Sequence, residues 1–454
     1  MYPARPWGER ALTLFAWGLA FHIVTMAFLF GLLRLPMDLV RAVAAWKEAF
    51  VVVMLGAVAV RALTGRGPGS RVLPGDLMLL ALVGLTALHL LAALGGGGPV
   101  EELSGLAYGV RDLVFFFAMY FVGRATPAVL ESDRILTSLF AVGVVTSMVA
   151  VVEWAFATPE MLMVLGVASY FNDFLGTSLH TAGNVYGLPD NYWTMIGGRL
   201  VQRAGSVQLS SQGFAIPFLV LIPAATVWMY RRERWTSPVA MAGYAILWAG
   251  LLLTITRMTI LAAGLQVLLI VVLRRRPAPL VALGVVGTAV FALVLATVPG
   301  IAGYVWDTLL WQTSSSGTHS RDYANGMAAL VRHPLGSGLG TTDATAARLG
   351  LVPIMGDNLV LKYAVELGAV AGMLLVSFFA YLLWVGVRGA LSAADERARD
   401  IGALGAALAL GVAVNGVTAV VFNSPMLAYS FFWTAGAAVT IAAGASAVAP
   451  ADRA

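Results

Sequence analysis

Residues Arg231–Arg276 read RRERWTSPVAMAGYAILWAGLLLTITRMTILAAGLQVLLIVVLRRR. Arginine runs stand at both ends, and the one charged residue between Trp235 and Leu273 is Arg257. A hydrocarbon core of roughly 30 Å takes about 20 helical residues, so this stretch has the length of two crossings. Membrane proteins keep Lys and Arg mostly in cytoplasmic loops. Placing both runs there makes the chain cross an even number of times between them and puts Arg257 at an outer turn.

The rest of the chain extends the pattern. Of 454 residues, 59% are hydrophobic before 49 glycines are counted, and 11% are charged. An average soluble domain has roughly 25% charged residues, so this chain lacks the polar surface to stay in water. We expect an all-α polytopic membrane protein, one integral domain over 1–454, with about twelve spans. They are read at 11–32, 41–60, 77–95, 105–123, 135–157, 213–230, 237–255, 258–273, 279–297, 356–386, 400–421 and 426–447. The first run is too long for a signal-peptide core and has no small-residue cleavage site, so it is expected to be retained. The absence of cysteine excludes a disulfide framework, a thiolate metal site and a cysteine nucleophile.

With a cytoplasmic N-terminus, most of the 28 basic residues fall in inner segments: Arg61, Arg66, Arg71, Arg124, Arg134, the two arginine runs, Arg388, Arg397 and Arg399 among them. Both termini are then cytoplasmic. The remainder, including Arg199, Arg203, Arg257, Arg321, Arg332 and Lys362, lie in outer loops or at outer helix ends, where positive charge is scarce and needs a reason.

Two outer segments are long, 158–211 and 299–355, longer than structureless connections tend to be. In the second, Arg321–Arg332 reads as a surface helix with Met327, Leu330 and Val331 on its apolar side, stopped by Pro334. Lys47 beside Glu48, and Arg111 beside Asp112, sit in or near spans. Sequence neighbours point to different helix faces, so neither is expected to be a simple ion pair. His22 and His89 read as packing residues inside spans.

No Walker loop or metalloprotease helix pair is present, and no Asp-x-Asp pair for a metal-bound sugar nucleotide. The outer charges instead suggest an anion site. Guanidinium groups donate in a planar fork that matches phosphate, and several of them at the outer leaflet suit a lipid-linked diphosphate. The bland readings stand beside this one: Arg203 and Arg257 as arginines snorkelling to headgroups, Arg321 as a helix surface charge, Asp357-Asn358 as a helix cap, and His333 as part of a turn.

The stretch Arg321–Gly340, RDYANGMAALVRHPLGSGLG, followed by Gly356–Gly368, GDNLVLKYAVELG, resembles the signature of the O-antigen ligase and O-antigen polymerase superfamily. Arg203 in RAGS and Arg257 in TITRMT look like that family's other two arginines. The resemblance is loose and covers about Arg203–Gly368. It implies an inverting, metal-independent and cofactor-free glycosyl transfer from an undecaprenyl-diphosphate-linked glycan, on the periplasmic face of the bacterial inner membrane. Arg203, Arg257 and Arg321 would hold the diphosphate, with His333, Asn358 and Lys362 in support. The family's acceptor-activating His aligns with Asp357, which departs from the pattern, and we expect Asp357 to act as the base. Expected partners are the lipid-linked donor, a glycan acceptor, membrane lipids and a chain-length regulator, and no nucleic acid. The departure at Asp357 favours a polymerase of lipid-linked repeats over a ligase to lipid A core. A lipid or solute transporter is the competing reading of another class.

Overall fold

A computed structural model describes residues 6–64, 71–96, 103–177, 179–180, 184–196, 199–231, 233–275, 277, 300, 302–303, 306–307, 310, 312 and 314–448. The helices are α1 (Pro6–Ala27), α2 (Met37–Ala44), α3 (Trp46–Leu63), α4 (Pro74–Leu94), α5 (Leu103–Val114), α6 (Ala118–Ala125), α7 (Asp133–Phe156) and α8 (Phe218–Arg231). They continue as α9 (Pro238–Leu253), α10 (Arg257–Arg274), α11 (Ser314–Arg332), α12 (Leu359–Leu367), α13 (Ala369–Ser392), α14 (Glu396–Asn415) and α15 (Pro425–Val448). Among the described residues, ten helices are long and apolar enough to cross a membrane, and the shorter apolar α9 lies on α7. The chain is a multi-pass, all-α membrane protein. Its outermost spans expose Val52, Val53, Leu77, Leu80, Leu88 and Leu91, a surface that suits hydrocarbon and not water.

The core forms around α8, in which every residue from Phe218 to Tyr230 is buried. Pro223 lies inside this helix. It has no N–H, so the carbonyl four residues back, Leu219 O, loses its helical donor. Gln266 of α10 replaces it: its Nε2 donates to Leu219 O at 2.9 Å and to Ala407 O of α14 at 2.9 Å. Space for that amide comes from Gly411, where a Cβ would overlap it. One polar side chain thus ties α8, α10 and α14 together within the apolar core. Elsewhere small residues let backbones approach: Gly123 of α6 lies against Trp433 O of α15, and Gly436 of α15 against Tyr120 O of α6.

Arg231 ends α8 and Arg274 ends α10, and both reach Asp400 of α14, at 3.5 and 3.0 Å. Arg231 and Arg274, one from each run, therefore meet at one end of the bundle with α9 and α10 between them in sequence, as the charge pattern predicts. Arg124 pairs with Asp76 at the same end.

Three expectations change. The predicted span 356–386 is two helices, α12 and α13, separated at Gly368, whose φ of +93° suits glycine alone. The predicted surface helix is longer, starting at Ser314. It buries Ala329 and packs Tyr323 against Met355, Leu361 and Val365, while Met327 and Val331 are exposed. The buried face is lined by small residues because the backbone sits close to α12. Finally, Lys47–Glu48 and Arg111–Asp112 do form ion pairs, at 3.2 and 2.8 Å, since their side chains are long enough to curl back across the helix surface. The predicted span 279–297 lies outside the described residues.

Candidate active site

At the end opposite Asp400, a cavity of about 1370 Å³ opens. Arg203, Arg257 and Asp357 all line it, although 54 and 100 residues separate them in sequence. Sites that bury a drug-sized ligand occupy roughly 300–1000 Å³, so this one has room for a larger substrate.

Arg203 follows a short antiparallel hairpin, β1 (Trp193–Ile196) and β2 (Arg199–Gln202). Its backbone N–H donates to Tyr192 O at 2.7 Å. Its guanidinium donates from Nε to Thr254 O at 2.6 Å and from Nη2 to Thr256 Oγ1 at 2.9 Å. These two bonds clasp the turn that leads into α10, whose first residue is Arg257. Between the two threonines, Ile255 has φ +50°, a left-handed conformation that is costly for a β-branched residue. Ser206 and Leu209 are also left-handed. The segment after Arg203 is fixed by Glu153 of α7, whose carboxylate accepts from Gly205 N at 3.3 Å and from Ser206 N. Such strain persists only where surrounding contacts enforce it, and it gathers at functional sites. Here it surrounds both arginines. The N-terminus of α10, which carries the positive end of the helix dipole, faces the same cavity through Thr256–Thr259.

The opposite wall comes from α11 and the start of α12. Asn358 alone caps α12: its Oδ1 accepts from Leu361 N at 2.8 Å, and its Nδ2 donates to Tyr323 Oη at 2.8 Å and Val417 O at 3.0 Å. That leaves the adjacent Asp357 carboxylate to line the cavity, and its backbone N–H donates to Asp322 Oδ2 at 3.2 Å. Partial burial pushes the Asp357 carboxyl above its ordinary range. Asp322 and Asp343 push the same way, and His319 opposes them.

His319 is the residue that sequence reasoning misses. It lies in the first half of α11 with Nδ1 3.9 Å from Asp357 Oδ2, and it lines the cavity. The surrounding sequence, SSSGTHS, carries no motif that marks it. The only available signal is its position, three residues before Asp322 on a helix whose one face meets Gly356–Asp357.

The other expected residues lie elsewhere. Arg321 is exposed on α11 and is not among the cavity-lining residues. His333 is exposed at the end of α11, where its N–H donates to Ala329 O and its carbonyl accepts from Gly336 N; it belongs to the turn. Lys362 is fully buried, with Nζ 2.5 Å from Asp343 Oδ2. Beside it, Glu366 accepts from Gly340 N and Thr342, and Thr345 Oγ1 donates to Asp112 Oδ2 at 2.8 Å. This ionic network pins the Gly338–Thr345 loop against α12 and α5.

The chain matches no protein-family model and no curated protein. The site is therefore read from its geometry. Two guanidinium groups on one wall suit a diphosphate, and a carboxylate with raised proton affinity beside an imidazole suits proton transfer.

Proposed function

We propose that the chain is a membrane glycosyltransferase that uses a polyprenyl-diphosphate-linked glycan as donor and polymerises lipid-linked oligosaccharide repeats. The observation that carries this reading is the meeting of Arg203, Arg257 and Asp357 in one cavity at one end of a membrane bundle. In this reading the cavity faces the periplasm, both termini are cytoplasmic, and the membrane is the bacterial inner membrane.

An acceptor hydroxyl oxygen bonds to the anomeric carbon as the bond from that carbon to the diphosphate oxygen breaks. Attack opposite the leaving group inverts the configuration. The electron pair leaves with the diphosphate, and Arg203 and Arg257 stabilise its growing negative charge. Preorganised cationic donors of this kind act strongly in a partly dry site. Asp357 takes the hydroxyl proton, and its raised proton affinity brings it closer to the working pH. The guanidinium of Arg203 bonds to Thr254 and Thr256 in the turn just before Arg257, so Arg203 also positions Arg257. No nucleotide is consumed, because the energy resides in the glycosyl–diphosphate bond. A ligase delivering a finished glycan to lipid A core would use the same groups. A deletion strain separates the two: without a polymerase single repeats are still attached to core, and without a ligase none are.

The buried network of Lys362, Asp343, Glu366 and Asp112 favours one other reading, a transporter, since intramembrane charges often mark transport paths. The deciding assay is extension of a lipid-linked repeat by purified protein in detergent, without any gradient. Extension that is lost in Arg257→Ala and Asp357→Asn and retained in EDTA supports the proposal. No extension by wild type, or full extension by both variants, rejects it.

A further inference from the structure

Beside the arginine and carboxylate walls, the cavity has a third wall of different chemistry. Asn184, Tyr186, Asp190, Trp193 and Thr194 line it, and the run Asn184–Thr194, NVYGLPDNYWT, contains no Lys or Arg. The run is held in shape by hydrogen bonds within the chain. Asn184 Nδ2 donates to Leu188 O at 2.6 Å and Asp190 Oδ1 at 2.8 Å. Tyr186 Oη donates to Glu160 Oε1 at 2.9 Å, and Asn172 Nδ2 donates to Gly187 O at 2.8 Å. Leu188 and Tyr192 beneath it are fully buried.

A wall carrying a carboxylate, amides, hydroxyls and an indole, with no cation, repels a second phosphate. It is suited to a neutral ligand rich in hydroxyls: planar Asp and Asn groups bond to hydroxyls, and an aromatic ring covers the C–H face of a sugar ring. The join to the anion wall is direct, because Trp193 pairs with Gln202 across the hairpin and Arg203 is the next residue. We infer that the Asn184–Thr194 wall is a saccharide subsite that selects the neutral sugar next to the diphosphate. This rests on the proposed function and adds to it a residue set for sugar specificity. Because hydrogen bonds within the chain shape the wall, less ordering has to be offset on association, which favours discrimination among sugars.

The test uses full-length protein in detergent and two kinds of soluble probe. One is farnesyl diphosphate. The other is a panel of farnesyl-diphosphate-linked monosaccharides: glucose, galactose, N-acetylglucosamine, N-acetylgalactosamine and fucose. At least one sugar-bearing probe is expected to bind about tenfold or more tighter than farnesyl diphosphate. Asp190→Ala, at an exposed position, and Trp193→Ala are each expected to erase most of that difference. Their affinity for farnesyl diphosphate is expected to stay within about twofold of wild type, which also shows that they are folded. The inference is overturned if no sugar improves binding to wild type, or if both variants keep the full difference. If farnesyl diphosphate binds neither wild type nor any variant, or binds Arg257→Ala as well as wild type, the diphosphate reading itself falls.

Discussion

Replacing Gln266 by leucine keeps its approximate volume but removes the donor that serves Leu219 O and Ala407 O. The two losses are unequal. Ala407 lies inside an unbroken helix and keeps the N–H of Gly411. Leu219 has no helical donor, because residue 223 is proline. A buried carbonyl left without a partner costs about 1–3 kcal/mol, while interhelical hydrogen bonds in membrane proteins are worth about 0.6 kcal/mol on average and at most about 1.7. Gln266→Leu should therefore destabilise by about 2 kcal/mol. In a Pro223→Ala background the alanine introduced there brings a backbone N–H that can serve Leu219 O, and the same substitution should cost about 1 kcal/mol less. Both are measurable by reversible unfolding in mixed micelles of a mild detergent and dodecyl sulfate. If the two single-variant penalties add to within about 0.3 kcal/mol, the carbonyl is not rescued by Gln266 and the reasoning fails. Gly411→Ala offers an independent check: it should destabilise the wild type and be tolerated alongside Gln266→Ala, which frees the space.

Arg203→Ala and Arg257→Ala should each lower kcat/KM for glycan extension about a hundredfold or more, as loss of a transition-state donor does, and Arg203→Lys should not restore it, because a single ammonium cannot reproduce the fork to Thr254 and Thr256. The proposed base role of Asp357 requires its ionised form, and its proton affinity is raised by burial, so activity should fall with acidification at a pH above the ordinary aspartate value of about 3.9. His319 opposes that rise, so His319→Gln should move the acid limb of the pH–rate profile further up; a downward or absent shift would separate His319 from Asp357. Lys362→Met should cost about 3–5 kcal/mol by stranding the buried Asp343, and adding Asp343→Asn, neutral and compatible with the left-handed backbone there (φ +51°), should recover part of it in the same unfolding assay.

Most of the membrane architecture was legible because hydrophobic length and arginine placement are direct responses to the bilayer. Those rules place the two arginine runs on one side, and Arg231 and Arg274 do meet at one end; that Asp400 joins them is visible only in the fold. The break at Gly368 was hidden because apolar residues continue on both sides of it, although Lys362 and Glu366 lie only before it; the backbone angle distinguishes one long span from two helices. The face of α11 was misread for a related reason. Gly326 and Ala329 contribute little to an apolar pattern, yet small residues permit the closest packing, and Met327 and Val331 remain outside. Arg203, Arg257 and Asp357 could be named from residue type and position, and they do line one cavity. His319 could not, since only the placement of α11 over Gly356 brings it to Asp357. Lys362 was visible as an outer charge, but its burial against Asp343 depends on a loop that folds back from 19 positions away.

The site's geometry depends on helices that carry no site chemistry along most of their length. Each functional segment is tied to a different span: the residues after Arg203 to Glu153 at the end of α7, the guanidinium of Arg203 to the turn before α10, and Asn358 beside Asp357 to Val417 just beyond α14. The distance between the arginine wall and the carboxylate wall is then set by how the ends of α7, α10 and α14 lie relative to one another. Gln266 fixes two of these three helices to the central α8, midway along α10. A substitution there should alter catalysis as well as stability, and its effect should appear in both walls together. A change confined to one wall, such as a loss of diphosphate affinity with an unmoved pH profile, would mean that the walls are positioned independently and that Gln266 serves the bundle alone.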